Sequence, residues 1–392
     1  MREKASISYF LSHPIQYISP LLEEMAKAFD LQVYYFSDAN IKGAIDKGFA
    51  KVIKWDIPLL EGYKYTFIRN NSPSPGLSNR FFNLVNFGLI KSLKKDPSSI
   101  IIVNGWAYFS SILTIITARM LGKKVWLRGE NPLSQEVRKS KKLLLLKNIM
   151  LRQFLFRFVN RFLYIGKESK RFFEFYGAKP NQLVYTPYGV DNNFFNAKYE
   201  ILKHNIVSLK SRLGLPINKL IILFSGKYIY QKRPLDLLKA FKELNDTRAA
   251  LVMVGEGELR SKMEAYIASN NLNDVYLTGF INQSKIPEYY MVADIFVMCS
   301  GAGETWGLSV NEAMNFAKPV VITDTCGCSS DLVEHNKNGF IVEEGNINQL
   351  TGALRQLLQN DQFRIEAGML SKQKIKAYSI STIVENLKAA SS

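Results

Sequence analysis

The stretch IFVMCSGAGETWGLSVNEAMNFAKPVVIT, residues 295–323, decides the fold. An apolar β-branched run, a Gly-rich turn, a helical pattern from about Leu308 and a second β-branched run follow one another, as in one unit of a parallel α/β sheet. Such a unit brings a helix amino terminus to the carboxyl end of a strand. Open sheets bind ligands there, and free N–H groups with the helix dipole favour phosphate. Glu304 lies in the turn, and Glu312 sits just over one helical turn further in. Their seven-residue gap lets one carboxylate face a sugar held at the turn while the other accepts hydrogen bonds from ribose hydroxyls. Read alone, the same residues also fit a helix-capping Glu304 and a solvated Glu312.

Two neighbouring constellations work outward from this one. In GKYIYQKRPLDLLKAF, Gly226 to Phe241, a strand ends and Lys227, Lys232 and Arg233 follow in a loop before a helix. Cations there can neutralise a diphosphate without a divalent metal, and no Asp-x-Asp pair occurs in the chain. In VMVGEGELRSKMEAY, Val252 to Tyr266, Gly255 and Gly257 lie between a strand and a helix, but the third glycine of a dinucleotide loop is missing. A redox Rossmann reading therefore falls away. Gly279, Phe280 and Ile281, after the strand VYLT, offer backbone groups to a base edge.

The whole chain repeats this alternation. Strand-like runs include SISYFL, QVYYF, IIIV, KVWL and FLYI in the first half, then IILFSG, AALVMVG, DVYLTG, IFVMC, PVVIT and GFIV in the second. At 392 residues two domains are the default. The junction falls near Tyr188, giving an acceptor-side domain 1–187, a donor-side domain 188–375 and a carboxyl-terminal helical segment 376–392 able to cross back to the first domain.

Composition excludes several classes. With 47% hydrophobic and 22% charged residues the chain is globular rather than disordered or fibrous. Three cysteines, Cys299, Cys326 and Cys328, are too few to staple a secreted scaffold, and three histidines support no zinc site. The start MREKASISYFLSHP is too polar for a signal peptide, so a cytoplasmic protein is expected. The uncharged stretch Pro97 to Ala118 reads as strand, turn and helix, since polar residues interrupt it. Net charge is +17 and lies almost wholly in one half: residues 1–185 hold 29 Lys and Arg against 13 Asp and Glu, residues 186–392 hold 22 against 21. An anionic partner for that half follows. From Arg138 to Arg171 there are eleven cations and one acid, mixed with Leu143 to Leu146, Phe154, Phe156, Phe158 and Phe162, a pattern suited to an anionic membrane surface.

Taken in order, GK(x4)KR, VMVGEGEL, the GF turn before ADIFV, ETWGLSVNEAM with KPVV, and DLVEHNKNGFIV resemble the donor half of retaining glycosyltransferases of family 4. SHPIQYISPL, YYFSD, WDIPLLEGY and LRGEN are similar to a branch of that family. The resemblance implies a GT-B fold, two doubly wound Rossmann-like domains facing a central cleft. It also implies a hexosyltransferase-type activity: transfer from a nucleoside diphosphate sugar, a UDP-sugar favoured, to an acceptor hydroxyl in cell-surface glycan or glycolipid assembly. By the same resemblance Lys227 and Lys232 hold the diphosphate, Glu304 faces the transferred sugar and Glu312 binds ribose. Gly307, Leu308 and Ser309 assist through backbone groups; Arg233 and Ile281 join the donor contacts. No cofactor or metal is implied beyond the co-substrate, and no nucleic acid. A lipid-linked acceptor would place the enzyme at the inner face of the cell membrane.

Two positions depart from the family pattern. Lys227 replaces a frequent Arg, exchanging a bidentate phosphate contact for a point charge. Gly129 stands in Trp126 to Asn131 where many relatives carry a His near the sugar. Arg128, Glu130, Asn131 and the strand-end His13 are the remaining candidates for acceptor or sugar contacts. A GT-B sugar nucleotide epimerase, or an inactive relative that binds membrane or nucleic acid, are the competing readings.

Overall fold

The computed structural model describes residues 4–41, 45–46, 51–52, 55–78 and 80–392. Residues 1–3 of the amino-terminal stretch thus lie outside the described residues. The chain divides into two units. The first comprises Met1–Ala44, Pro58–Pro187 and Ile380–Ser392; the second comprises Ile45–Ile57 and Tyr188–Ser379.

The first unit holds strands β1 (Ser6–Leu11), β2 (Asp30–Tyr35), β5 (Lys64–Phe67), β6 (Ile100–Asn104), β7 (Lys124–Gly129), β8 (Arg161–Tyr164) and β9 (Leu183–Tyr185). The short pair β3 (Ile45–Asp46) and β4 (Lys51–Val52) belongs to the second unit. The seven-stranded sheet is parallel throughout, in the order β5-β2-β1-β6-β7-β8-β9. Period-two alternation explains why both faces are covered: Ile7, Tyr9 and Leu11 of β1 enter one core with Ile100 and Ile102, whereas Phe10 enters the other with Ile101 and Val103. Pro97 to Ala118 becomes β6 and the helix Phe109–Met120. No helix among the described residues is long and apolar enough to cross a membrane.

The helix Ile380–Ser391 returns to the first unit. Ile383, Val384 and Leu387 bury in the core of β1, and Asn386 donates to the Tyr185 carbonyl at 2.9 Å. Each such aliphatic side chain contributes about 1.5–3 kcal/mol on full burial.

The second unit holds β10 (Leu220–Ser225), β11 (Ala249–Val254), β12 (Val275–Gly279), β13 (Ile295–Met298), β14 (Val320–Thr323) and β15 (Gly339–Val342). These form a parallel sheet in the order β12-β11-β10-β13-β14-β15.

Not all of the apolar residues that the sequence reading grouped with the cations of 138–171 are at the surface. Phe156 and Phe162 are buried in the first unit's core and Phe158 is half-buried, while Phe154 is exposed. Lys147 turns inward, its Nζ 2.8 Å from the buried Glu136 carboxylate, which also accepts from Lys139 (2.9 Å) and the Tyr176 hydroxyl (2.8 Å). Burial works against that carboxylate, yet the donors from Lys147, Lys139 and Tyr176 hold it below its usual range.

Candidate functional site

Each sheet reverses its strand order once: between β1 and β6 in the first unit, and between β10 and β13 in the second. The crevice outside the carboxyl ends at such a point is where open α/β sheets take ligands. In the second unit the loops leaving β10 and β13 are stitched together. Gly301 N–H donates to the Gln231 carbonyl at 2.7 Å, and the Cys299 thiol donates to the carbonyls of Arg233 (3.3 Å) and Lys232 (3.5 Å). The turn Tyr230–Lys232 is thereby set beside residues 301–307, and Lys232 Nζ donates to the Glu304 carboxylate. The side chains of this pair are only 19% and 12% exposed, so salt screens it weakly. Gly327 N–H donates to the Glu304 carbonyl at 3.1 Å and Cys328 N–H to that of Trp306 at 3.2 Å, fixing the turn from its other side.

The helix Leu308–Asn315 starts from Gly307, whose φ of +104° and close approach to Met298 (a Cβ would lie 2.5 Å from Sδ) require glycine. Leu308 and Ser309, both half-buried, form its first turn, where N–H groups lack intrahelical acceptors and the dipole is positive. One turn on, Glu312 accepts from the Tyr290 hydroxyl (2.6 Å) and from Gln283 (3.2 Å). Burial pushes its carboxyl above the ordinary value, against the pull of those two donors. Gln283 belongs to the loop after β12 that also carries the half-buried Ile281, so this loop and Glu312 form one surface.

Lys227 is half-buried, and the backbone around it is fixed by Gly226 N–H donating to Val254 and Tyr228 N–H donating to Glu256, each at 2.9 Å. Gly255, at φ +153°, permits that approach: a Cβ would lie 1.9 Å from the Gly226 carbonyl oxygen. The Gly255–Gly257 motif is thus a fit between two loops. Arg233 lies beside the same turn, close to Gly301, and is paired with two carboxylates. Its Nε donates to Asp236 at 2.6 Å and its Nη1 to Glu344 at 3.4 Å.

Sequence reasoning quoted Trp55 to Tyr63 only for its resemblance and gave residues 55–57 no role at the site. Asp56 accepts from Ser284 N–H at 3.2 Å and from its hydroxyl, and Trp55 meets Phe280 edge-on at 6.1 Å between ring centroids. These residues lie in the first half of the sequence yet brace the loop of Ile281. The tryptophan followed by an acid in an otherwise irregular stretch was the available signal.

The other four candidates lie in the first unit. His13, just beyond β1, shares a 2.9 Å hydrogen bond between Nδ1 and the Ser12 hydroxyl. Arg128, on β7, is buried and donates to the Tyr9 hydroxyl at 3.5 Å; that hydroxyl donates to Asn104 at 3.3 Å. Burial raises the Tyr9 phenol, Arg128 opposes the shift and the Glu130 charge adds to it. Glu130 and Asn131 follow, both half-buried. Gly129 has a packing reason: a Cβ would lie 2.6 Å from Phe173 Cζ and 3.0 Å from Trp106. Among the described residues no three His, Cys, Asp or Glu side chains cluster as a metal site needs.

Residues 208–376 match the family described as glycosyl transferases group 1. That match lies within the second unit. The chain is 33% identical over 156 residues to poly(ribitol-phosphate) alpha-N-acetylglucosaminyltransferase of Staphylococcus aureus (strain COL), covering 38% of this chain and 31% of that protein. It is 32% identical over 130 residues to the amylovoran biosynthesis glycosyltransferase AmsK of Erwinia amylovora, covering 32% of each. The chain spans under half the length of these curated relatives. The crystal structure of Anabaena HepE in complex with UDP superposes with a TM-score of 0.76 at 18% identity, over 98% of this chain and 99% of that one. The fold, two Rossmann-like parallel-sheet domains, is therefore GT-B.

Proposed function

We propose that the protein transfers a sugar from a nucleoside diphosphate sugar, a UDP-sugar, to an acceptor hydroxyl with retention of anomeric configuration, in cell-surface glycan or glycolipid assembly. The observation that carries this is the pairing of Lys232 with Glu304 beside the start of the helix Leu308–Asn315, where the strand order reverses. A diphosphate at this helix start meets positive dipole and two loop cations, Lys227 and Lys232. It competes with Glu304 for Lys232, and the released carboxylate then accepts from sugar hydroxyls. Cleavage of the anomeric C–O bond leaves its electron pair on the β-phosphate, where these groups stabilise it in the transition state more than in the ground state. The acceptor oxygen forms the new bond on the same face and passes its proton to that phosphate oxygen, so no enzymic base is needed. UDP is the nucleotide bound by the HepE structure, and both curated relatives carry glycan names. A lipid-linked acceptor puts this chemistry at the cytoplasmic face of the cell membrane.

The two glutamates separate the roles. Glu312→Ala should weaken UDP and UDP-sugar alike in calorimetric titration, whereas Glu304→Ala should leave UDP affinity nearly intact and lower turnover. Equal loss of UDP binding in both variants would overturn the assignment.

A further inference from the structure

A second surface, in the first unit, carries its own signal. The helix Lys141–Asn148, capped by the Ser140 hydroxyl, runs on into a π-helical turn Ile149–Phe154. No residue of Lys141–Asn148 is buried. Leu145 and Leu146 lie four and three residues before Ile149 and so neighbour it on the helix surface, and Phe154 ends the π-helical turn that follows. Leu145 and Leu146 are 63% and 65% exposed, Ile149 and Phe154 53% and 50%. The segment is anchored by Leu151, fully buried in the first unit's core, and by Lys147, which pairs with the buried Glu136 and lies 5.1 Å from the centre of the Phe172 ring. Apolar side chains left this exposed on an anchored segment mark a binding surface.

Charge identifies the occupant. Arg138, Lys141, Lys142, Arg152 and Arg157 are exposed around the patch, and the sequence holds no acid between residues 137 and 167. A second copy of the chain would set these cations against their own equivalents. A nucleic acid backbone would satisfy the cations and leave the leucines in water. A bilayer containing anionic phospholipid satisfies both.

We propose that residues 138–154 form an interfacial membrane-binding element, with Leu145, Leu146, Ile149 and Phe154 entering at headgroup depth and Lys141 and Lys142 over the lipid phosphates. The proposal concerns the first unit alone and stands or falls apart from the donor chemistry. The full chain is sedimented with vesicles of phosphatidylcholine, with and without phosphatidylglycerol, at low and high salt. Binding is expected to the anionic vesicles only, weakened by salt. Lys141→Gln with Lys142→Gln should lower low-salt binding by roughly thirtyfold, near the limit for two cations. Leu145→Ser with Leu146→Ser should lower it at both salts. Met369→Ser, an exposed apolar position of the second unit, should change nothing. Lys139 is left intact because it belongs to the Glu136 joint. Equal binding to neutral vesicles overturns the proposal. So does undiminished binding of the leucine pair, or a concentration-dependent dimer that this pair abolishes without any vesicle binding by the parent.

Discussion

The two parallel sheets reverse at equivalent places but are wired differently. At the β10–β13 reversal the charges stand on loops: Lys232 comes from one, Glu304 from the other, and backbone hydrogen bonds between the loops set their distance. At the β1–β6 reversal the polar groups stand on the strands themselves, with Tyr9, Asn104 and Arg128 joined inside the sheet. One topology therefore supports two economies. Loop-borne charges can exchange a carboxylate for a ligand, whereas strand-borne groups are locked by packing and act as scaffold for whatever lies beyond them.

Substituting the tight glycines breaks this comparison most directly. Gly255→Ala drives a Cβ into backbone at a left-handed φ and should cost more than about 4 kcal/mol, with loss of UDP binding. Gly129→Ala meets only the rims of Phe173 and Trp106, which can shift, and should cost about 1–3 kcal/mol. Urea unfolding of both variants checks the order, and a Gly129→Ala variant less stable than Gly255→Ala would reverse it.

The loop-borne charge should matter next. Lys232→Ala is expected to lower kcat/KM by about 2–4 kcal/mol, as for loss of one preorganised donor, while the parent keeps its activity in excess chelator. Tyr9→Phe, on the other sheet, should leave UDP affinity unchanged. Full activity of Lys232→Ala, or parent activity recovered from chelator only by magnesium or manganese, would show that charge is supplied by other means.

The smallest effect is in pH. Because burial raises the Glu312 carboxyl, the folded chain holds that proton more tightly than the unfolded one. The stability linked to it is complete below the ordinary glutamate value and is lost as pH rises through the raised one. Glu312→Gln has no such proton, so its melting temperature should gain on the parent across that window, by about a degree or two. A constant difference between the two across the window would show that Glu312 titrates normally.

The central strands were legible because buried parallel strands read as continuous β-branched runs. The edges were not. β5 reads KYTF with three exposed residues, and β9 has only three residues, so neither carries an apolar run. At the site, the positions of Lys232, Glu304 and Glu312 on loop, turn and helix were readable from the punctuation by Gly and the onset of helical spacing. Their partners were not, since Lys232 and Glu304 lie 72 residues apart and Tyr290 reaches Glu312 from another helix. Arg233 shows the difference. Asp236 lies three residues on, within the reach of local spacing, whereas Glu344 lies 111 residues away.

The return of Ile380–Ser391 to the first unit has a consequence for the order of synthesis. Ile7, Tyr9 and Leu11 are made long before Ile383, Val384 and Leu387, yet all six enter one core. Domains that are contiguous in sequence can fold as they emerge. Here the sheet that is translated first must wait, with one face incompletely covered, until Leu387 has been joined, whereas the second unit's sheet has all of its strands by Val342.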